Sequence, residues 1–245
     1  MEHALSAVEV LNVWERARSV SPVDCALLLA ASAGVGASRD ELAQCSIGRR
    51  DAQLLNLREK LFGPKMTGRA NCPACAQAIE MNFSVAEIRA GSEEGLTPQF
   101  TTRFDNYEIT FRLPNSNDLA TLVAGEDIVT QKRRLAQRCV LSASRDAQAI
   151  AFEQLPNEAV SALSERMSKL DPQGDVQLAL TCPRCSNRWE APLDIVSFVW
   201  AEVQAYAAQL LRDVHLLASN YGWREAEILM LSPVRRQAYL ELIAQ

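Results

Sequence analysis

Residues 180–192 read LTCPRCSNRWEAP and residues 70–82 read ANCPACAQAIEMN, so the chain carries two Cys-Pro-x-Cys hooks more than a hundred residues apart. Apolar residues alternate with polar ones around both. Ile79, Met81, Phe83 and Val85 follow the first hook, Val176, Leu178 and Leu180 precede the second, and Trp189 follows it. A period of two is that of a half-buried strand, which places each hook in a turn between two strands. A Cys-x-x-Cys turn offers two thiolates to one ion, whereas tetrahedral zinc takes four ligands, so each hook is half a site and two hooks complete one. The spacing therefore predicts a split zinc ribbon. One structural Zn2+ sits on Cys72, Cys75, Cys182 and Cys185, with residues 76–181 inserted between the knuckles.

The long insertion does not exclude this site. Closing a loop of that length costs roughly 4 kcal/mol by the (3/2)RT ln n relation, less than the roughly 10–16 kcal/mol apparent for structural zinc binding. The histidines, His3 and His215, lie far from both hooks in sequence. A closed thiolate site leaves no position for water and is structural. Two alternatives stay open. A Cys-Pro-x-Cys hook also serves as a redox pair, but there the cysteine opens a helix, and here strand-like alternation follows. The hooks can also be empty turns, or pair between chains. Where many ribbons place glycine after the second cysteine, this chain has Ala76 and Ser186. Cys25, Cys45 and Cys139 stand singly in helix-like segments and read as small buried hydrophobes.

The rest of the chain is helical punctuated by strands, an α+β class. SPVDCALLLAASAG opens with Ser21 as N-cap and Pro22 at the first helical position and closes at Gly34. A helical turn is expected over 38–45. A helix follows with Leu54, Leu57 and Leu61 at helical spacing, stopped by Gly63 and Pro64. After a polar loop at 91–95, QFTTRFDNYEITFRLPN places Tyr107, Ile109, Phe111 and Leu113 on one strand face. DIVTQKRRLAQRCVLSA and PNEAVSALSERMSKLDP both read as helices. A long helix over 194–219 carries the stripe Val196, Val199, Val203, Tyr206, Leu210, Val214 and Leu217, and two short helices joined at Ser232 and Pro233 end the chain. The expected organisation is a helical region 1–67, a first hairpin 68–90, a hairpin plus helical insertion 100–175, a second hairpin 176–193 and a helical C-terminal region 194–245. The two hooks then read as a duplicated helix, strand, hook, strand unit.

Composition narrows function. With 245 residues, 48% of them hydrophobic, and a net charge of −5, the chain is an ordinary globular protein without the basic excess of a nucleic-acid grip. The start, MEHALSAVEVLNVWERARSV, lacks a basic stretch before an apolar core, and the apolar run 25–37 is too short to span a bilayer, so a cytoplasmic protein without a membrane partner is expected. No Gly-rich phosphate loop, His-Glu metal pair or small-molecule site stands in the sequence, so no enzyme is expected. Arg49, Arg50, Arg58, Lys60, Lys65 and Arg69, and then Lys132, Arg133, Arg134 and Arg138, read as solvated helix faces, with binding of an acidic partner as the sharper alternative. In the tail, Tyr221, Trp223, Arg235, Arg236 and Tyr239 are candidates for docking a partner, with Arg235 and Arg236 at the rim. The competing reading has the tail packed on the long helix as core.

The stretch IGRRDAQLLNLREKLFGPKMTGRANCPACAQAIEMNFSVAEI, with the later LPNSNDL and the second hook, resembles the baseplate hub proteins of T-even-like contractile-tailed phages. The tail LLASNYGWREAEILMLSPVRRQAYLELI is similar to the C-terminal signature of small baseplate assembly proteins of those phages and of related contractile injection systems. The resemblance implies a cytoplasmic protein, possible in the finished particle, that builds or joins a baseplate hub through other baseplate proteins. It implies the four hook cysteines as zinc ligands and no active site. The alternative function is a zinc ribbon that binds nucleic acid or joins transcription machinery, for which Arg184, Arg188 and Trp189 supply a little of the needed surface.

Overall fold

The computed structural model describes residues 5–34, 38–90, 99–123 and 125–243. The loop expected at 91–95 and His3 lie outside the described residues. Four helices come first: α1 (Ala7–Ala17), α2 (Pro22–Ala31), α3 (Arg39–Gln44) and α4 (Ile47–Phe62). Ser6, Ser21, Ser38 and Ser46 cap them in turn, each side chain accepting from a backbone N–H of the first turn. Gly63, at φ 80, ends α4 in a conformation that favours glycine.

The first hairpin follows, β1 (Lys65–Asn71) against β2 (Ala78–Ser84), paired from Lys65↔Ser84 to Asn71↔Ala78. Val85, expected to continue β2, instead opens the short helix α5 (Val85–Ile88). The cause is local: the Ser84 side chain accepts from the Glu87 N–H while Glu87 accepts from Ser84, a capping box that converts strand to helix.

The insertion holds more sheet than the sequence suggests. β3 (Phe100–Phe104) and β4 (Tyr107–Phe111) form the expected hairpin, and α6 (Ser116–Leu119) and α7 (Ile128–Cys139) follow. The helix expected to run through VLSA stops at Cys139. Val140 turns extended, and β5 (Val140–Arg145) and β6 (Gln148–Ile150) complete an antiparallel sheet in the order β3-β4-β5-β6. The β5–β6 turn puts Asp146 and Ala147 at φ 49 and 65, the left-handed pair that a tight hairpin needs, without the usual glycine. That missing glycine hid the hairpin. α8 (Asn157–Leu170), a 3-10 turn Pro172–Gly174, and the second hairpin β7 (Gln177–Thr181) with β8 (Arg188–Pro192) complete the pattern. The chain ends with α9 (Ile195–Tyr221), α10 (Glu225–Leu229) and α11 (Pro233–Ile243).

Two cores result. The larger surrounds α9, whose Ile195, Val199, Val203, Ala207 and Leu210 bury against α1, α2, α4, α5 and Met66 of β1. Of the expected stripe, Val196, Tyr206 and Val214 are only partly buried. The smaller packs Ile109, Phe111 and Ala143 of the sheet on Ala136 and Cys139 of α7 and Ala159, Leu163 and Met167 of α8.

A polar seam joins the two. Ile47 N–H donates to Pro114 O at 3.2 Å, and Arg50 Nη1 donates to Ser116 Oγ at 3.2 Å. Gly48 N–H donates to Asp171 Oδ2 at 2.8 Å, and a Cβ on Gly48 would lie 2.0 Å from Asp171 Oδ1, so only glycine fits this approach. Asp118, its side chain 1% exposed, accepts from Arg112 at 2.6 and 2.9 Å, from Arg138 at 3.0 Å and from the Asn115 N–H at 3.0 Å. These bonds hold its carboxyl below the usual range against the burial that would raise it. Gln173 reaches from the 3-10 turn to Ala90 N–H at 2.8 Å.

The expected solvated basic faces are corrected at several positions. Arg50 and Arg58 are buried, at 4% and 3% exposure. Arg58 holds Glu202 of α9 at 2.8 and 2.9 Å and donates to Gly63 O and Lys65 O, tying the end of α4 and the start of β1 to the long helix. Arg133 lies over the Phe152 ring, Arg134 pairs with Glu126 and Arg138 with Asp118.

Asp51 gives this seam a pH signature. Burial outweighs the adjacent Arg50 guanidinium and pushes its carboxyl up to about 6. Because the folded chain then holds a proton that the unfolded chain has released, this contribution to stability is full below the ordinary Asp value and is lost as pH rises through about 6. The effect is on the order of 3 kcal/mol at about 1.4 kcal/mol per unit. Denaturant unfolding of the wild type and of Asp51→Asn between pH 4 and 7 should show the wild type losing stability relative to the variant as pH rises; a constant difference contradicts the assignment.

Candidate metal centre

The two hooks are built alike. In the first, Cys72 N–H donates to Gln77 O and Ala76 N–H donates to Cys72 O, both at 2.9 Å. In the second, Cys182 N–H donates to Asn187 O and Ser186 N–H to Cys182 O, again at 2.9 Å. Ala76 and Ser186 adopt φ 57 and 59, the left-handed position where glycine was the expected residue. The tight turn thus forms with Cβ-bearing residues, held closed by these two hydrogen bonds.

The hairpins bring the hooks together. The Sγ atoms of Cys72, Cys75, Cys182 and Cys185 all lie within 4.8 Å of one another. Cys72 Sγ is 3.6 Å from Cys185 Sγ, and Cys75 Sγ is 3.6 Å from Cys182 Sγ. Exchanging the hooks turns one contact into the other, so the four sulfurs have an approximate two-fold arrangement. Sulfurs bound tetrahedrally at about 2.3 Å stand roughly 3.8 Å apart, so this cluster has the dimensions to hold one ion. Among the described residues it is the one such group of Cys, His, Asp and Glu side chains.

Burial and charge distinguish the four. Cys72 and Cys182 are buried at 2% and 1% exposure, Cys75 is half-buried and Cys185 exposed. Burial opposes ionisation of Cys182, but the Cys185 and Arg184 backbone N–H groups and the neighbouring thiols outweigh it and bring that thiol down to about 7. For Cys75 the Gln77 N–H favours the thiolate, yet desolvation and the thiols of Cys185, Cys182 and Cys72 push it up to about 12. Four thiols this close cannot all ionise without a cation between them. Cys25 and Cys139 are buried single thiols raised by desolvation to about 11 and about 12, and Cys45 is half-buried and also raised by desolvation.

The tail candidates separate. Tyr221, Trp223 and Tyr239 pack on one another, with centroids 4.8 Å apart for Tyr221–Trp223 and Trp223–Tyr239. Arg235 is exposed. Arg236, expected beside it at the rim, is 4% exposed and binds Asp213 of α9 at 3.0 Å. The i, i+3, i+4 geometry of α11 turns it inward with Tyr239 and Leu240. Ile228 and Leu229 are also buried, whereas Met230, Val234 and Leu242 stand 83%, 82% and 58% exposed. Among the described residues no helix is long and apolar enough to cross a membrane.

The sequence reading missed the polar seam, in which the likeness-bearing segments IGRRD and LPNSNDL meet through Ile47–Pro114 and Arg50–Ser116. Its signal was present as a charged Arg-Arg-Asp at the start of an apolar helix. The model of the family described as T4 bacteriophage base plate protein matches residues 35–200, which include both hooks and the seam and leave out the tail. Neither a curated protein nor a solved structure matches the chain. A match over more than half of the chain, spanning the features that join its two cores, places it: the chain belongs to the T4 bacteriophage base plate protein family.

Proposed function

We propose that the chain is a non-catalytic structural or assembly protein of a contractile baseplate hub, stabilised by one zinc ion and acting through contacts with other baseplate proteins. The observation that carries the reading is the convergence of four sulfurs within 4.8 Å from hooks on two separate hairpins. Zinc suits an all-thiolate, closed, tetrahedral donor set, in which no ligand position remains for water or substrate. The ion would join the two hairpins and so fix the large insertion between them. In this reading the chain divides as its elements do, into helical ends, two zinc-ribbon hairpins and the inserted sheet with α7 and α8.

The tail is the proposed contact surface. Met230 and Val234 are nearly free of cover, and Arg235, Tyr221, Trp223 and Tyr239 add to the tail the side-chain types that concentrate binding energy at interfaces. Arg236 contributes by fixing α11 on α9 through Asp213.

Two experiments test the two halves of this reading. Serine at any one of Cys72, Cys75, Cys182 or Cys185 should remove most of the zinc and lower unfolding stability by several kcal/mol, while serine at Cys25, Cys45 or Cys139 leaves the metal content unchanged. Equal metal content in all seven variants refutes the zinc site. Separately, Met230→Glu with Val234→Glu should leave folding and zinc intact but remove co-purification with co-expressed baseplate proteins. Undiminished co-purification moves the contact surface elsewhere.

A further inference from the structure

The geometry points to the hook cysteines as a redox-convertible staple: a peroxide oxidises them to two cross-hook disulfides, Cys72–Cys185 and Cys75–Cys182, which lock the hairpins covalently. The thiol contacts at 3.6 Å run between hooks, and the two are equivalent under exchange of the hooks. Cys185 is exposed and gives the oxidant its entry, while its contact partner Cys72 is buried behind it. The contacts are between the sulfurs themselves, so the inference does not rest on the zinc reading.

The chemistry balances with one peroxide for each disulfide. Cys185 Sγ attacks a peroxide oxygen, the O–O bond breaks, and a sulfenic acid forms as water leaves. Cys72 Sγ then attacks that sulfur, the S–O bond breaks, and a second water leaves with the thiol protons. The two sulfurs lose two electrons and the peroxide gains them. Cys75 and Cys182 repeat the sequence with a second peroxide. Any ion held by the four thiolates is released as they are consumed.

The consequence is a staple that holds in both redox settings. Thiols stay reduced in a cytosol and oxidise outside it, and a particle component that is assembled inside a cell and later released meets both conditions. The disulfides would span 113 and 107 residues of chain, so each would tie the two ends of the insertion directly to each other.

The sequence supplies its own assay. Trypsin cuts after Arg69, Arg89, Lys169, Arg184 and Arg188, so Cys72 and Cys75 share one peptide while Cys182 and Cys185 fall on two. After hydrogen peroxide treatment of the full chain, non-reducing peptide mass mapping should find peptide 70–89 joined to both 170–184 and 185–188, with the loss of two hydrogens per bond. In Cys75→Ser the same peptide should be joined to 185–188 alone. An internal disulfide in 70–89 with 170–184 joined to 185–188 overturns the inference, as does oxidation to sulfinic acid without any disulfide. Cys25 and Cys139 are internal controls and should remain reduced. Metal content measured before oxidation keeps the tests apart: cross-hook disulfides from a metal-free chain support this inference and count against zinc.

Discussion

Four sulfur atoms from two short turns meet within 4.8 Å, and the rest of the chain is arranged to let them. Each turn is a small hairpin that has no core of its own, since a two-stranded ribbon is marginal alone in water. The first enters the core around α9 through Met66 and Phe83, and the second enters the same core through Val176, Leu178 and Leu193. Thiols at this spacing repel one another once ionised, so all four can be thiolates together only with a cation among them. The hairpins thus supply a place where the two halves of the chain are tied.

The polar seam is the second tie, and it works by shape and satisfied hydrogen bonds. Gly48 lets Asp171 approach the N-terminal turn of α4, Arg50 reaches Ser116, and Asp118 gathers Arg112, Arg138 and the Asn115 N–H. Removing one partner from such a buried set leaves another uncompensated, which costs more than the intact bond contributes. With Arg58 fixing α4 and β1 to α9, the two cores and the hook-bearing hairpins are held by directional contacts. The family match covers the seam and both hooks and ends within the first turns of α9.

Much of this was legible in the sequence, and the misses have physical causes. Alternation beside Cys72 and Cys182 gave the strands, Ser21 with Pro22 gave a helix start, and Gly63 gave a helix stop, because period and cap chemistry are local. Val85 was misplaced because a capping box at Ser84 and Glu87 overrides strand alternation. β5 and β6 were hidden because VLSA continues the apolar pattern of α7 and the turn uses Asp146 and Ala147 without glycine. Arg58 and Arg236 were read as surface charges because their partners Glu202 and Asp213 lie 144 and 23 residues away, and Arg50, which also pairs with the adjacent Asp51, because Ser116 lies 66 residues away. Sequence spacing carries no such partner information.

The central claim is that the four hook cysteines hold one zinc ion as an all-sulfur tetrahedron. X-ray absorption at the zinc edge of the purified, reduced chain measures this most directly. The account predicts a single shell of four sulfurs at about 2.3 Å and no nitrogen or oxygen in the first shell. A shell with two or fewer sulfurs, or one completed by nitrogen or oxygen donors, contradicts it.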